Sequence, residues 1–397
     1  MKRNVFVPQI PYGTRDFLPY EANQKRVIES SLAQLFARWG YDEIVTPTFE
    51  YLETLAVGVD NDVLPNMFKF FDKNNRTLAL RSDMTTPLAR VAATRLRETE
   101  TPLRLFYLTN VFRYEQAQAG RQCEFYQAGV ELMGVPGPSA DAEMVALAVE
   151  AMLDTGLQDF QISLGQVEFI HGIMDEHDLT PQQGWDIKQC MLRRDLVGLE
   201  EMLAKSGLTK AGQNILKQIP LLHGREDMLE KTYHLVNNPV SKAALDNLAE
   251  IYSLLKSYGV DKYVNFDLGI MRDLDYYTGM VFEGYTPGLG FPLCGGGRYD
   301  NLVASFGVQC PATGFALGIE RVLLAMERQG IAVACAAKNI YIGWDCESLP
   351  EAIKQAAELR NAGKSVELSL LPQSKEEALA SQQRKGYDEL LYIAGCK

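Results

Sequence analysis

The feature that most constrains the fold of this chain is a stretch rich in glycine and tyrosine between residues 270 and 303. It begins with I-M-R-D-L-D-Y-Y-T-G-M-V-F-E-G-Y and ends with C-G-G-G-R-Y-D-N-L-V. Three consecutive glycines remove the side chains that would keep the backbone away from a flat or small molecule. The stretch therefore predicts a pocket for a polar, planar ligand. The alternative is a tight turn between two antiparallel strands, with the tyrosines packed on the sheet.

Composition limits the classes of protein to which the chain can belong. Its 397 residues suffice for one large domain and a smaller one, and its net charge of −12 at pH 7 opposes binding to a polyanion. The beginning of the chain lacks the apolar run of a signal peptide, and no stretch approaches the roughly 20 apolar residues that a membrane span needs. We therefore expect a cytoplasmic protein without a membrane partner.

The cysteines and histidines do not predict a metal site. Seven cysteines are scattered without a Cys-x-x-Cys pair, and none of the four histidines has the spacing of a metal-ligand motif. An odd and dispersed set of cysteines also argues against a disulfide framework. We expect no metal and no other cofactor.

Hydrophobic periodicity predicts a core that mixes helices and strands. Segments in which apolar residues recur with a period near 3.6 predict helices at 21–39, 87–96, 138–153 and 315–328. Alternating or short apolar runs predict strands at 41–50, 103–115, 124–134, 160–166 and 263–269. A hairpin is expected at 67–83, where Asn74 and Asn75 supply the turn.

The order of these elements predicts an α+β fold in more than one part. A core at 1–330 would contain an antiparallel sheet, interrupted at about 171–262 by a helical insertion rich in Leu, Lys, Glu and Gln. Residues 337–397 alternate strand and helix, which indicates a small α/β domain with parallel strands.

Three arginines occupy places where an anion could be held. Arg113 ends a predicted strand, Arg121 lies in the following loop, and Arg321 lies on the last predicted core helix. Arginine suits bidentate binding of phosphate or carboxylate, although a surface ion pair is the alternative for each. Gly314 and Gly318, at the expected start of that helix, would equally well serve close packing of helix on sheet.

A second group combines carboxylates with neutral polar residues at predicted strand ends. Asp83 and Thr85 follow one strand, whereas Gln127 and Glu131 share the parity of another, so their side chains point the same way. Glu131 has apolar neighbours, and such a carboxylate usually has a cationic partner or a ligand. A structural glutamate with a partner is the alternative. No phosphate-binding loop, dinucleotide fingerprint or Ser-His-Asp arrangement occurs.

At these motifs the chain resembles the histidyl version of the class II aminoacyl-tRNA synthetases. The resemblance rests on F-R-Y-E with G-R-x-x-x-F-Y-Q, R-D-L-D-Y-Y, G-G-G-R-Y-D-N-L-V and G-F-A-L-G-I-E-R, in the same order and spacing across the chain. It implies a class II antiparallel sheet, in which Arg113 and Arg321 would face ATP phosphates. The residues that would line a histidine pocket are Asp83, Thr85, Gln127, Glu131, Arg272, Tyr276, Tyr277 and Tyr299.

Several departures from the synthetase pattern argue against tRNA charging. Residues 81–85 are R-S-D-M-T where the synthetases have R-P-E-G-T, which shortens a carboxylate by one methylene and replaces a glycine. Substrate placement would suffer, and near-attack geometry is worth orders of magnitude in rate. The loop at 116–121 offers one arginine where the synthetases carry basic residues for the tRNA acceptor end. Residues 338–397 hold eight Lys/Arg against nine Asp/Glu, with no positive excess for phosphates.

The chain is more similar to the family of ATP phosphoribosyltransferase regulatory subunits, paralogues of the synthetase in histidine biosynthesis. R-S-D-M-T-T-P-L-A-R and R-D-L-D-Y-Y-T-G-M-V-F-E-G-Y suit that family. The resemblance implies an allosteric, non-catalytic subunit that works with a short-form catalytic subunit of ATP phosphoribosyltransferase. It also implies that L-histidine inhibits the complex by feedback. It also implies a homodimer within a hetero-oligomer, no tRNA partner, and a C-terminal domain that is a truncated version of the anticodon-binding domain.

Two alternatives remain at this point. A histidyl-tRNA synthetase is one, because Arg272 stands at the position of the synthetase's catalytic arginine. A histidine sensor that acts without a partner is the other. The sequence also leaves open whether a regulatory histidine would bind in the synthetase-like pocket or at a subunit interface.

Overall fold

A computed structural model describes residues 9–58, 64–114, 122–177, 179–193, 195–270, 276–334 and 337–395. The chain divides into two compact units, Met1–Ala332 and Val333–Lys397. Within the described ranges, no helix has both the length and the apolar character that crossing a membrane requires.

The α-helices of the described residues are numbered in chain order. They are α1 (Pro19–Arg38), α2 (Leu52–Leu55), α3 (Thr85–Thr94), α4 (Pro138–Asp154), α5 (Val167–Glu176), α6 (Pro181–Leu192), α7 (Leu196–Lys205), α8 (Lys210–Gln218), α9 (Glu226–Tyr233), α10 (Pro239–Tyr258), α11 (Ile319–Arg328), α12 (Leu349–Asn361) and α13 (Lys375–Lys385).

The strands follow the same convention. They are β1 (Asp42–Glu43), β2 (Phe49–Tyr51), β3 (Lys69–Phe71), β4 (Thr77–Leu80), β5 (Leu103–Phe112), β6 (Glu124–Met133), β7 (Gln161–Gln166), β8 (His223–Gly224), β9 (Val264–Asp267), β10 (Met280–Tyr285), β11 (Cys294–Arg298), β12 (Ala312–Gly318), β13 (Ile340–Trp344), β14 (Val366–Leu368) and β15 (Glu389–Ile393).

A nine-stranded sheet organises the first unit, in the order β1-β5-β6-β12-β11-β10-β7-β9-β8. The six strands from β5 to β7 pair antiparallel, which confirms the predicted antiparallel core. Towards the two ends, β1 pairs with β5 and β9 with β7 in parallel, so the sheet as a whole is mixed. A second, three-stranded sheet has the order β2-β4-β3.

The main sheet is covered on both faces. On one face α1 and α4 pack over an aromatic cluster in which Phe36 contacts the rings of Phe106 and Phe315. On the other face Met84, which precedes α3, and Leu88 on α3 are both buried against apolar residues of β5 and β6. Burial of this much apolar surface is the main stabilising contribution to the unit.

Between β7 and β9, the described residues form the helices α5 to α10 and the two-residue strand β8. The last of these helices, α10, packs against α4, α5 and β7. It ends at Gly259, whose φ of 74° is the left-handed conformation that glycine adopts without steric cost.

The structure corrects the predicted start of the last core helix, at residues 312–318. The helix expected at 315–328 begins at Ile319, and Gly314 lies within strand β12 instead of opening a helix. Strand β12 runs between β6 and β11, where the sheet is covered on both faces. A short, small-residue strand buried on both sides has no alternation of apolar and polar residues, so its sequence resembles a helix entrance.

The prediction of a strand at 41–50 was also wrong for most of these residues. Only Asp42–Glu43 and the start of β2 are extended in sheets, and the residues between them, including Pro47, lie outside strands. Proline lacks the N–H that a ladder needs. The hairpin at 67–83 is confirmed as β3 and β4, with Asn75 at a φ of 58° in its turn.

The second unit contains a three-stranded sheet in which β13 pairs in parallel with β14 and with β15. Its core consists of Ile342 and Trp344 on β13 together with Ala352 and Ala356 on α12. The predicted parallel α/β arrangement is therefore confirmed.

Candidate functional site

One face of the main sheet carries almost no side chains at its centre. Cross-strand partners in an antiparallel ladder project to the same face. Glu131 on β6 is opposite Gly314 on β12, and Gly314 is opposite Gly297 on β11. Two residues further along these strands, on the same face, Gly129 is opposite Ala316, which is opposite Gly295. We call the four glycines 129, 295, 297 and 314 the glycine floor.

The glycine floor is filled by side chains that reach over it from the surrounding elements. A Cβ atom on Gly314 would lie 2.6 Å from Cδ of Glu131, and one on Gly129 would lie 2.5 Å from Cζ of Tyr107. The ring of Tyr277 occupies the corresponding space above Gly297. A side chain at position 129, 297 or 314 would therefore overlap these groups, and we call the cluster of side chains above the glycine floor the Glu131 pocket.

Glu131 is the polar centre of this pocket and is 1% exposed. The hydroxyl of Thr85 donates to Oε1 at 3.0 Å, and the hydroxyl of Tyr299 donates to Oε2. Burial raises the pKa of Glu131 to about 8, although the hydrogen bonds from Tyr299 and Thr85 act in the opposite direction. The negative charge of Asp83 raises this pKa further. No lysine or arginine of the described ranges pairs with this carboxyl group.

Aromatic rings surround the carboxyl group. Tyr276 packs against Tyr277 and Tyr299, with ring centroids 4.8 Å and 5.7 Å apart. Burial raises the pKa values of Tyr107, Tyr276 and Tyr299, so all three phenols are neutral hydrogen-bonding groups. A pocket with planar walls and one acidic group suits a flat ligand that carries nitrogen donors or acceptors.

The sequence prediction missed Tyr107. This tyrosine is 2% exposed and lies beside Gly129 in the ladder between β5 and β6. Its place in the pocket depends on that register, which a single sequence does not reveal. The predicted residues Thr85, Glu131, Tyr276, Tyr277 and Tyr299 do come together.

Asp83 and Gln127 have less direct positions than expected. Oδ1 of Asp83 accepts a hydrogen bond from the backbone N–H of Thr86 at 3.2 Å, which stabilises the first turn of α3. Gln127 is half-buried on the same sheet face as Glu131, opposite Thr109 and Gly318. A direct role for either side chain in ligand binding stays a prediction.

Two of the predicted anion-binding arginines bind backbone carbonyl groups. Nε of Arg113 donates to the carbonyl of Ser82 at 2.8 Å. Arg321 donates to the carbonyl of Pro292 at 2.7 Å and lies 5.2 Å from the ring centroid of Phe291. The other predicted cations, Arg121 and Arg272, lie outside the described residues.

Arg298 holds the end of β11 in place. It is 6% exposed, and its guanidinium group pairs with both carboxylate oxygens of Asp141 on α4, at 2.9 Å and 3.0 Å. A third contact joins Arg298 to Asp300 at 2.9 Å. Because Tyr299 follows directly, this buried pair positions the phenol that donates to Glu131.

Arg81 plays a similar structural part beside the pocket. It is 3% exposed and donates to the backbone carbonyls of Thr46, Pro47 and Asn110 and to the side chains of Thr109 and Asn110. The chain between β4 and α3 is thereby fixed to β5, which places Thr85 over the glycine floor.

We expect Glu131→Gln to change how stability depends on pH. The pKa of Glu131 rises from an ordinary 4.5 to about 8 on folding, so the folded state holds a proton that the unfolded state releases between these values. Stability therefore falls as pH rises through that window. Between pH 6 and 8 the native chain should lose about 2 kcal/mol more unfolding free energy than the variant. Urea unfolding at each pH measures this free energy. If it changed with pH equally in the native chain and in Glu131→Gln, the assignment of a neutral Glu131 would be contradicted.

The sequence and the fold can be compared with those of known proteins. A family model described as histidyl-tRNA synthetase matches residues 13–322. A histidyl-tRNA synthetase from Nostoc sp. PCC 7120 shares the fold with a TM-score of 0.84 at 23% identity, covering 98% of this chain and 92% of that one. The chain is thus built on the core of a histidyl-type class II aminoacyl-tRNA synthetase.

Relatives that match over nearly the whole chain narrow this class. The ATP phosphoribosyltransferase regulatory subunit of Desulforamulus reducens is 43% identical over 381 residues, 96% of this chain and 94% of the relative. That of Moorella thermoacetica is 44% identical over 378 residues, 95% and 96% of the two chains. The chain belongs to the family of ATP phosphoribosyltransferase regulatory subunits, which are paralogues of the synthetases and serve histidine biosynthesis.

A solved structure agrees with this family. An ATP phosphoribosyltransferase regulatory subunit/histidyl-tRNA synthetase from Bacillus halodurans superposes with a TM-score of 0.88 at 33% identity. The match covers 99% of this chain and 100% of that one.

Proposed function

We propose that this regulatory subunit binds L-histidine in the Glu131 pocket and transmits its occupancy to a short-form catalytic subunit of ATP phosphoribosyltransferase. The observation that carries the proposal is a buried carboxyl group enclosed by Tyr107, Tyr276 and Tyr299 above the glycine floor. An imidazole ring is planar and has two nitrogens that can hydrogen-bond to such groups. Feedback then requires that histidine bind one state of the complex more tightly than the other.

The proposal gives the chain no role in tRNA charging. The net charge is −12, and residues 338–397 carry nine acidic against eight basic side chains. Affinity for a nucleic acid depends mainly on neutralising its phosphates, so this charge distribution opposes tRNA binding. Arg113 and Arg321 also donate hydrogen bonds to backbone carbonyl groups of their own chain.

The three-stranded sheet β2-β4-β3 supports a homodimer within the proposed hetero-oligomer. Its strands β2 and β3 expose Phe49, Phe70 and Phe71, and Phe71 is 71% exposed. The rings of Phe49 and Phe70 are in contact, with centroids 5.5 Å apart. Exposed aromatic residues are typical of protein interfaces, so we include a second copy of this chain in the proposal. The proposal places the complex in the cytoplasm.

Reconstitution tests the function. Adding the purified chain to a short-form catalytic subunit should raise the rate of phosphoribosyl-ATP formation, and the two proteins should co-elute in size-exclusion chromatography. L-histidine should then inhibit the mixture, because it binds one state of the complex preferentially. Absence of both co-elution and activation would overturn the proposal.

A parallel assay separates this function from that of a synthetase. We expect neither histidine-dependent ATP–pyrophosphate exchange nor charging of tRNA by the purified chain. Inhibition by histidine that survives Glu131→Ala would place the effector at a subunit interface instead of the Glu131 pocket.

A further inference from the structure

We propose that the loop at residues 369–373, between β14 and α13, is a surface through which this chain binds the catalytic subunit. Leu370 and Leu371 insert into an apolar depression on that partner, and lysine or arginine side chains border the depression. This inference rests on the proposed function, because it names the surface that meets the partner assigned there. It concerns the second unit of the chain and not the Glu131 pocket.

The first support is the exposure of two adjacent leucines. Leu370 is 90% exposed, more than any other large apolar side chain of the described residues, and Leu371 is 72% exposed. Apolar residues that are scattered singly over a surface are normal, whereas neighbouring ones mark interaction sites. Removal of both side chains from water would be strongly favourable, because hydrophobic stabilisation grows with the apolar area that is buried.

The second support is that hydrogen bonds hold the loop at both ends. The N–H of Ser369 donates to the carbonyl of Ile342 at 2.8 Å, and its carbonyl accepts from the indole N–H of Trp344 at 2.7 Å. The hydroxyl of Ser369 donates to the carbonyl of Leu371 at 2.7 Å. The N–H of Gln373 donates to the carbonyl of Trp344 at 2.9 Å. A preordered loop loses little conformational entropy on binding, so burial of its leucines adds directly to affinity.

The third support is the charge around the loop. Because β13 and β14 are parallel, the connections that follow them leave from the same edge of the sheet. These connections and the first turns of α12 and α13 cover residues 345–352 and 369–378. They contain one basic residue, Lys375, and five carboxylates, which are Asp345, Glu347, Glu351, Glu376 and Glu377. The leucines therefore lie at an acidic edge of the unit.

These features define the chemistry of the occupant. An apolar pair within an acidic surface is complementary to an apolar depression with a cationic border. An enzyme that takes ATP as a substrate carries cationic side chains for the phosphates, which match this surface in charge. The same carboxylates would repel the phosphates of a nucleic acid, so we assign the surface to a protein.

Isothermal titration calorimetry of the full chain with a purified short-form catalytic subunit tests the surface. Leu370→Asp combined with Leu371→Asp should raise the Kd at least about 100-fold, because it places two charges in the apolar depression. Leu221→Asp is the matched control, since Leu221 is 60% exposed and lies in the first unit. This control should bind with the native affinity.

Reversal of two exposed charges tests the acidic edge. Glu347→Lys combined with Glu376→Lys should slow association about tenfold at low salt, and the difference should shrink at about 0.5 M salt, where surface charges are screened. Glu201→Lys combined with Glu230→Lys changes the net charge equally in the first unit and is the control. Equal slowing by both pairs would mean that only the net charge matters, which contradicts the acidic edge as the binding surface.

Hydrogen exchange of the native complex needs no substitution. We expect the backbone amides of residues 369–373 to exchange more slowly when the catalytic subunit is bound than in the chain alone. Unchanged exchange in a saturated complex would overturn the inference, even if the leucine variant failed to fold by circular dichroism.

The remaining outcomes separate this inference from the proposed function. If the native chain does not bind the catalytic subunit, then the proposed function itself is wrong. If it binds and the double leucine variant binds equally well, only the assigned surface is wrong. Sedimentation velocity of the chain alone gives a further decision. A smaller assembly in the leucine variant would show that the loop contacts a second copy of this chain instead.

Discussion

Replacing Gly314 by alanine should abolish histidine binding. The new methyl carbon would lie 2.6 Å from Cδ of Glu131 and even nearer to one carboxyl oxygen, so the side chain could not keep its place. Moving it breaks the hydrogen bonds from Thr85 and Tyr299 and fills the pocket. We expect affinity to fall at least about 100-fold, which corresponds to about 2.7 kcal/mol.

Gly290→Ala is the matched control for this substitution. A Cβ atom at Gly290 would meet no other atom within 4 Å, so the same chemical change should leave affinity unaltered. Calorimetry at pH 7 measures both variants, and circular dichroism confirms that each is folded. Binding by Gly314→Ala at native affinity would show that histidine does not contact Glu131.

The second large effect is expected from Arg298→Met. This substitution leaves Asp141, which is 1% exposed, without its bidentate partner. Breaking a buried ion pair from one side costs about 3–5 kcal/mol, because the remaining charge stays buried. Equilibrium urea unfolding followed by circular dichroism should show a loss of unfolding free energy of that size.

Two comparisons sharpen this prediction. Arg38→Met removes a pair with Asp154 in which the arginine side chain is 59% exposed, and should cost less than about 1 kcal/mol. The double variant Arg298→Met with Asp141→Leu should recover much of the loss, since no charge is left buried. Equal effects of Arg298→Met and Arg38→Met would mean that the buried pair does not support the end of β11.

The elements that the sequence predicted well are those with a strong local signal. Helix α1 has a 3.6-residue apolar period and ends at Arg38, two residues before Gly40, and β3 and β4 flank an asparagine turn. Strand β12 lacked any such signal, because small residues covered on both faces have no period. The error at 312–318 therefore comes from burial, which is a property of the folded molecule.

The same distinction applies to the pocket. Glu131 could be selected because a carboxyl group among apolar neighbours is unusual. The role of Gly314 could not be predicted, since it depends on the pairing of β6 with β12, residues far apart in the sequence. Tyr107 was missed for the same reason. Asp83 was expected at the ligand, yet its carboxylate also bonds to the first turn of α3.

The glycine floor has a consequence for the thermodynamics of binding. Side chains that become ordered around a ligand lose rotamer entropy, which costs about 0.5–1.5 kcal/mol for each flexible side chain. Glycine has no rotamers to lose, and the rings of Tyr276 and Tyr299 are already packed against each other. The pocket is preorganised, so the affinity of the effector need not be reduced by ordering of its binding site.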